Sequence, residues 1–270
     1  MVAGRYQLGP VLGYGGMGEV LLAHDHLLDR SVAIKRPRPE APRRGDLGLE
    51  ARIAARVAHR GVVRVLDLVQ DVTGAHIVME LIDGPSLRGL HEEGPMAVRD
   101  AVRIAVELAS ALDAVHQCDA LHLDVKIENV LLMADGQPKL IDFGIARLAS
   151  EPFTGEIVSD TGVAALVGTP RTMAPEQIQG DPVDARADLY SLGVLLYELL
   201  VGASPFAAGS DVATLSRVLR ERVPPLDARV PDLPPDLIAL VAALLDRHPA
   251  FRPQTAREVH ARLWSVAGCM

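Results

Sequence analysis

At 270 residues the chain has the size of one large domain or of two lobes sharing a cleft, and 49% hydrophobic residues supply a sizeable core. Aromatics contribute only 3%, so that core has to be built from Ala, Val and Leu. A net charge of −8 and a pI near 5.6 exclude a general nucleic-acid or anionic-membrane binder.

The two cysteines, Cys118 and Cys269, provide neither a disulfide framework nor a zinc spacing, so a cytoplasmic setting is expected. The first residues, "MVAGRYQLGPVLG", lack the apolar core of a signal peptide. The most apolar later stretch, "LYSLGVLLYELLVGASPF", is interrupted by Glu198 and is too short to span a bilayer. No membrane segment is therefore expected in this chain.

In chain order, "RYQLGPVLG" and "GEVLLAHD" read as strands flanking a glycine cluster, and "SVAIKRP" follows as a short β-branched run ended by prolines. Residues 46–58 have helical character, with Leu49, Ile53 and Val57 four apart. "VVRVLDLVQD" and "AHIVMELI" read as two more strands separated by Thr73-Gly74. After Asp83-Gly84-Pro85 the pattern turns helical. Val102, Ala105, Leu108, Ala109, Leu112 and Val115 share one face of a long helix. Short strands surround "LHLDVKIENVLL" (121–132), and a long loop is expected from Asp142 to about Glu176. Helices are expected near 184–201, 210–222 and 236–266, the last broken by "RHPAFRP".

Four groups of residues carry chemistry. "LGYGGMGEV" places Gly13, Gly15 and Gly18 at G-x-G-x-x-G-x-V spacing, with Gly16 among them. Alone this match is weak, since such glycines often serve only a turn. Here they lie between two strands rather than between a strand and a helix, which argues against a dinucleotide fold. Residues lacking Cβ let backbone N–H groups come close to phosphates. Lys35 of "VAIK" sits in an apolar run and must find an anionic partner or leave the core; Glu50 on the next helix is a plausible one. The plainer alternative is a strand lysine whose amine reaches solvent. Asp124 and Asn129 lie on a loop before a short strand, and Asp142 of "KLIDFGIA" follows a β-run and precedes a glycine. Oxygens converging from two such loops suit Mg²⁺, which keeps waters and bridges phosphates. An isolated Asp-Phe-Gly is common in turns, whereas all four groups in this order are not a chance pattern.

With those motifs, and with "GGMGEV", "DFGIAR" and "GTPRTMAPEQ", the chain resembles a eukaryotic-type serine/threonine protein kinase of the bacterial kind over essentially all of its length. The resemblance implies an α+β, two-lobed fold over 1–270. Its N-lobe (about 1–80) would be a five-stranded antiparallel sheet plus one helix, followed by a hinge at about 80–86 and a mostly helical C-lobe at about 87–266. It implies ATP and Mg²⁺ as cofactors. Lys35 would hold the α- and β-phosphates and pair with Glu50. Asp124 would orient the acceptor hydroxyl and take its proton, with Lys126 beside it, while Asn129 and Asp142 bind the metal. Leu12, Val20, Ala33 and Leu131 would enclose the adenine, and the backbone of Glu80 and Ile82, after Met79, would read its edge. Glu176 would pair with Arg252, and Asp188 would brace the catalytic loop. The partners implied are proteins carrying Ser or Thr, the chain itself in trans among them, with Ser159, Thr161 and Thr169 as phosphorylation candidates.

Three positions depart from the family pattern. Leu123 stands where an arginine is usual, Ile127 replaces a proline, and Thr172 replaces an aromatic near where the substrate's next residue docks. The usual arginine helps to receive a phosphorylated loop residue. Leu123 donates no such bond, and the other pocket positions are Arg147 and the acidic Asp46. Weak dependence on loop phosphorylation is therefore expected, with Leu123 packing apolar surface under the loop. Two other readings keep the fold: a pseudokinase acting as a nucleotide-gated binding module, and a small-molecule kinase. The complete set of Lys35, Glu50, Asp124, Asn129 and Asp142 opposes the first, and the "GTPxxxAPE" segment opposes the second.

Overall fold

The computed structural model describes residues 1–15, 18–37, 47–72, 74–149, 156–158, 164–166 and 168–270. Five strands open the chain: β1 (Tyr6–Gly15), β2 (Gly18–Asp25), β3 (Arg30–Arg36), β4 (Val65–Asp71) and β5 (Gly74–Glu80). They form one antiparallel sheet in the order β1-β2-β3-β5-β4.

Period-two alternation gives this sheet two faces. Ala23, Val32, Ile34 and Val78 turn to one side, where Val2 and Tyr6 close a small core. Val20, Ala33 and Lys35 lie in register on the other side, with Val20 opposite Lys35 and Ala33 opposite Met79. Helix α1 (Leu47–Ala54) covers part of that second face by packing Leu47 and Ala51 against Ile77.

The chain then becomes helical through α2 (Leu87–His91) and α3 (Val98–Gln117). Small paired strands follow: β6 (Ala120–Leu121) with β9 (Arg147–Leu148), β7 (Val130–Leu132) with β8 (Pro138–Leu140), and β10 (Glu156–Val158) with β11 (Ala164–Leu166). The remaining helices are α4 (Pro175–Gln179), α5 (Ala185–Val201), α6 (Asp211–Arg220), α7 (Pro235–Leu244) and α8 (Ala256–Gly268).

Helix α5 is the spine of this part. Every residue from Ala187 to Leu200 is buried, and a helix apolar all round has to be enclosed by its neighbours. Asp184 caps its start by accepting from Arg186 N at 2.9 Å, and Gly202 ends it in the left-handed conformation at φ 81°. Helix α3 packs its apolar stripe on α5 and α8. The core is rich in Leu, Val and Ala, as the scarcity of aromatics requires, with Tyr190, Tyr197 and Phe206 the large side chains among them. Each fully buried Leu or Val contributes about 1.5–3 kcal/mol relative to exposure.

These elements match the expected order with short omissions. The five-residue helices α2 and α4 and the strand pairs β6–β9 and β10–β11 have too few residues to show a period. Asp46, the expected start of the first helix, lies outside the described residues. No helix among the described residues is long and apolar enough to cross a membrane.

Candidate active site

The sheet delivers Lys35 to the site, because its position on β3 points it toward α1. Lys35 is 4% exposed, and its ammonium donates to Glu50 Oε1 and Oε2 at 2.7 and 2.8 Å and to Asp142 Oδ1 at 2.6 Å. The partner anticipated from sequence is therefore the one found, and a second carboxylate shares the same cation. Burial works against the charge on Lys35, but Asp142 and Glu50 outweigh it and raise its pKa. Two carboxylates compete for one ammonium. Asp142 keeps its charge, its pKa lowered by Lys35 against the opposing effect of burial, whereas burial pushes Glu50 up to about 7.

A stability effect follows from the sign of that shift. Glu50 binds a proton more readily folded than unfolded, so its contribution is complete below pH 4.5 and is lost as pH rises through about 7. The melting temperature of the ligand-free protein is expected to fall between pH 5.5 and 8.5 relative to Glu50→Gln. Parallel melting curves for the two proteins across that range would rule the shift out.

The catalytic stretch is held from below by α5. Asp188, fully buried, accepts from the backbone N–H of His122 at 2.9 Å, of Leu123 at 2.7 Å, and from His116 Nε2 at 2.9 Å. Burial opposes its ionisation, but the bond from His116 is the chief of several that hold its pKa below the ordinary range. His122 is neutral, its pKa lowered by burial. Its Nδ1 accepts from Asp124 N at 3.3 Å and its Nε2 donates to Ile141 O at 3.3 Å, while its ring meets Phe143 edge-on at 4.7 Å. These bonds hold Leu123 and Asp142 in the left-handed region, both at φ 64°, a conformation that non-glycine residues keep only when surroundings impose it. The Leu123 side chain is 3% exposed and joins the main helical core, a deeper position than the expected packing under the loop.

Around Asp124 the bonds converge. Lys126 Nζ donates to Asp124 Oδ2 at 2.6 Å, and Asn129 Nδ2 donates to the same oxygen at 2.8 Å and to Asp124 O at 2.9 Å. The Thr169 hydroxyl donates to Asp124 Oδ1 at 3.0 Å and accepts from Lys126 at 2.6 Å. Thr169 was expected as a phosphorylation candidate; here its hydroxyl links the loop to the catalytic carboxylate. Ser159, Thr161 and Gly16 lie outside the described residues.

The donor set fits a magnesium ion. Within the described residues the side chains of Asn129 and Asp142 are engaged through Nδ2 and Oδ1. Asn129 Oδ1 and Asp142 Oδ2 are left as hard oxygen donors. Two such oxygens suit Mg²⁺, which takes one or two from protein and completes its shell with water and phosphate. A Cβ on Gly15 would sit 3.8 Å from Asp142 Oδ2, so the glycine hairpin lies over these donors. Gly18 has a different reason to be glycine: a Cβ there would meet Arg36 O at 2.2 Å, a clash with the backbone of β3.

On the cleft side, Ala33 is buried and Val20, Met79, Ile82 and Leu131 are half-buried, while Leu12 is half exposed. Glu80 is fixed by Lys139 Nζ at 2.7 Å and Arg64 N at 2.8 Å, both on Oε1, which steadies the connection leaving β5. Gly84 lets that connection cross β7, since a Cβ would lie 1.8 Å from Leu132 O. Sequence reasoning missed Lys139, as it missed His116 under Asp188. Neither has a spacing that announces its partner.

The segment from residue 168 onward is anchored by buried pairs. Glu176 and Arg252, both buried, form a two-bond pair at 2.6 and 2.8 Å, and Arg252 also stacks over Tyr190 at 4.8 Å. Thr172, 2% exposed, is tied by Ser191 Oγ to its carbonyl at 2.7 Å, so it lines the core rather than an open docking surface. Arg147 is set by β6–β9 pairing opposite Leu121.

Residues 6–265 match the protein kinase domain family. The chain belongs to that family. It is 42% identical to the serine/threonine-protein kinase PknB of Mycobacterium tuberculosis, over 97% of this chain and 43% of that protein. PknB of Mycobacterium leprae is 41% identical over the same shares. A probable serine/threonine-protein kinase of Streptomyces coelicolor is 39% identical over 96% of this chain and 39% of its own length. The chain thus spans about two fifths of the length of these curated relatives.

Proposed function

We propose that this kinase domain transfers the γ-phosphate of ATP, with Mg²⁺, to serine and threonine hydroxyls of cytoplasmic proteins, its own in trans included. Residues 80–86 serve as the hinge between its lobes. The observation that carries this reading is the buried ammonium of Lys35 held between Glu50 and Asp142, because it poises a cation, its orienting carboxylate and a metal-binding oxygen together. A binding module that had lost catalysis would not need to retain all three.

Each residue then has a task. Val20, Ala33 and Leu131 form the apolar walls around the adenine, with Leu12 and Met79 at its edges, and the backbone at Glu80 and Ile82 bonds its polar rim. Gly13, Gly15, Gly16 and Gly18 carry backbone N–H groups over the phosphates, and Lys35 binds their oxygens. Asn129 and Asp142 would hold the Mg²⁺, whose bound charge offsets that of the phosphates. Asp124 orients the acceptor hydroxyl and accepts its proton, and Lys126 balances the charge beside it. The arrangement needs little help from loop phosphorylation: Thr169, Thr172, Glu176 and Arg252 already fix the end of the segment.

Incubation with γ-labelled ATP and Mg²⁺, followed by phosphosite mapping, tests the reading. Label on Ser and Thr is expected, and its absence at every metal concentration would refute it. In melting experiments ATP is expected to stabilise the protein chiefly with Mg²⁺ present, since binding to the native state alone raises the transition. Asp142→Asn should weaken that metal dependence. Equal stabilisation by ATP with and without Mg²⁺ in the wild type would remove the metal assignment.

A further inference from the structure

Next to the catalytic loop lies a second cluster of charged side chains with no part in the steps above. Glu128, between Lys126 and Asn129, accepts through one oxygen, Oε1, from Arg88 Nη1 at 2.6 Å and from Arg171 Nη2. Its other oxygen is buried with no hydrogen-bond partner among the described residues. Glu198 of α5 joins the cluster: it is 5% exposed, it lies 3.9 Å from His91 Nε2, and its Oε2 is likewise buried without a partner. Burial pushes the Glu198 carboxyl up, and Arg171 is the foremost charge drawing it back down. Arg171 Nε is itself buried and unbonded among the described residues.

Half-buried Glu128 and buried Glu198 each keep one buried oxygen without a hydrogen-bond partner among the described residues, so together they offer unused acceptors to a cation. The chain supplies one cation itself. Arg171 comes from "GTPRT", two residues beyond Thr169, whose hydroxyl touches Asp124. A peptide presenting a hydroxyl to Asp124 must cross this segment, so the cluster lies within reach of side chains flanking the acceptor.

We propose that Arg171 is a specificity-determining residue: from within the chain it fills an acidic pocket, formed by Glu128 and Glu198, that would otherwise take a basic substrate side chain flanking the acceptor hydroxyl. With Arg88 and Arg171 both turned on Glu128, an incoming lysine or arginine meets like charge and is rejected. The wild-type enzyme thereby favours neutral or acidic neighbours of its target serine or threonine. This rests on the phosphoryl-transfer reading above.

The test uses peptides with one serine and with alanine or arginine at each of the three positions on either side. For each enzyme the readout is the ratio of kcat/KM for the arginine peptide to that for the alanine peptide. In the wild type the ratio is expected at or below unity at every position. Arg171→Gln should raise it about tenfold or more at one position, through a lower KM, a gain of about 1.4 kcal/mol. Adding Glu198→Gln should cancel the gain. Arg171→Met provides a second charge-removing variant if the glutamine protein does not fold. A residue with only a structural role would change both peptides alike, so an unchanged ratio in both variants overturns the proposal. A wild type that already prefers arginine tenfold overturns it too. Labelling of the alanine peptide reports the transfer reading separately.

Discussion

Asp124→Asn is expected to lower phosphoryl transfer by about a thousandfold, the scale of a lost general base that also orients its substrate. Asparagine keeps the shape of the side chain and one acceptor oxygen but no longer takes a proton. It would also face Lys126 and Asn129, whose donors now converge on Asp124 Oδ2. The fold should survive, since the loop backbone is held by Asp188 rather than by the Asp124 carboxylate. Lys35→Met is expected to cause a comparable loss for another reason: it removes the buried cation proposed to bind the phosphates and leaves Glu50 and Asp142 without their shared partner. Rates of label transfer, read beside melting curves, separate lost chemistry from lost fold. Residual activity within tenfold of wild type in both variants would show that these groups do not carry the reaction.

The largest stability loss is expected from Arg252→Met. The guanidinium binds both oxygens of Glu176 and the carbonyls of Asp246, Arg186 and Arg247, and it covers the Tyr190 ring. Removing it leaves a buried carboxylate and several buried carbonyls unpaired. Breaking one side of a buried pair costs about 3–5 kcal/mol. Replacing both partners, Glu176→Met with Arg252→Met, should recover part of that loss, because the uncompensated charge disappears with its partner. Urea denaturation of the three proteins measures this. A single variant within about 1 kcal/mol of wild type would contradict the ledger of bonds around Arg252.

Much of this site was legible in the sequence because its parts are local. A lysine in an apolar strand, a carboxylate on the next helix and two loop residues ahead of short strands each have a pattern of their own. The sheet was legible for the same reason: the apolar runs of β2 and β3 are short and bounded by a glycine cluster and by prolines. What stayed hidden was pairing across long separations. Nothing in the spacing joins Glu128 to Arg88, 40 residues away, or to Arg171, 43 residues away. His116 stands near the end of an amphipathic helix and donates to Asp188, 72 residues on, with nothing in the spacing to announce it. Leu123 shows the limit from the other side. Its loss of a donor could be read from the residue type, whereas its left-handed backbone and its place in the helical core follow from Asp188 gripping the adjacent amides.

We propose a catalytically competent kinase domain whose activity depends little on loop phosphorylation. Thr169 on Asp124, Arg171 on Glu128 and Glu176 on Arg252 are the contacts that support it. The measurement that bears on it most directly is the rate of γ-phosphate transfer to a serine peptide by phosphatase-treated wild type and by Ser159→Ala/Thr161→Ala. Both rates are expected within tenfold of the untreated enzyme; a larger fall in either, a barrier increase above about 1.4 kcal/mol, would contradict the claim.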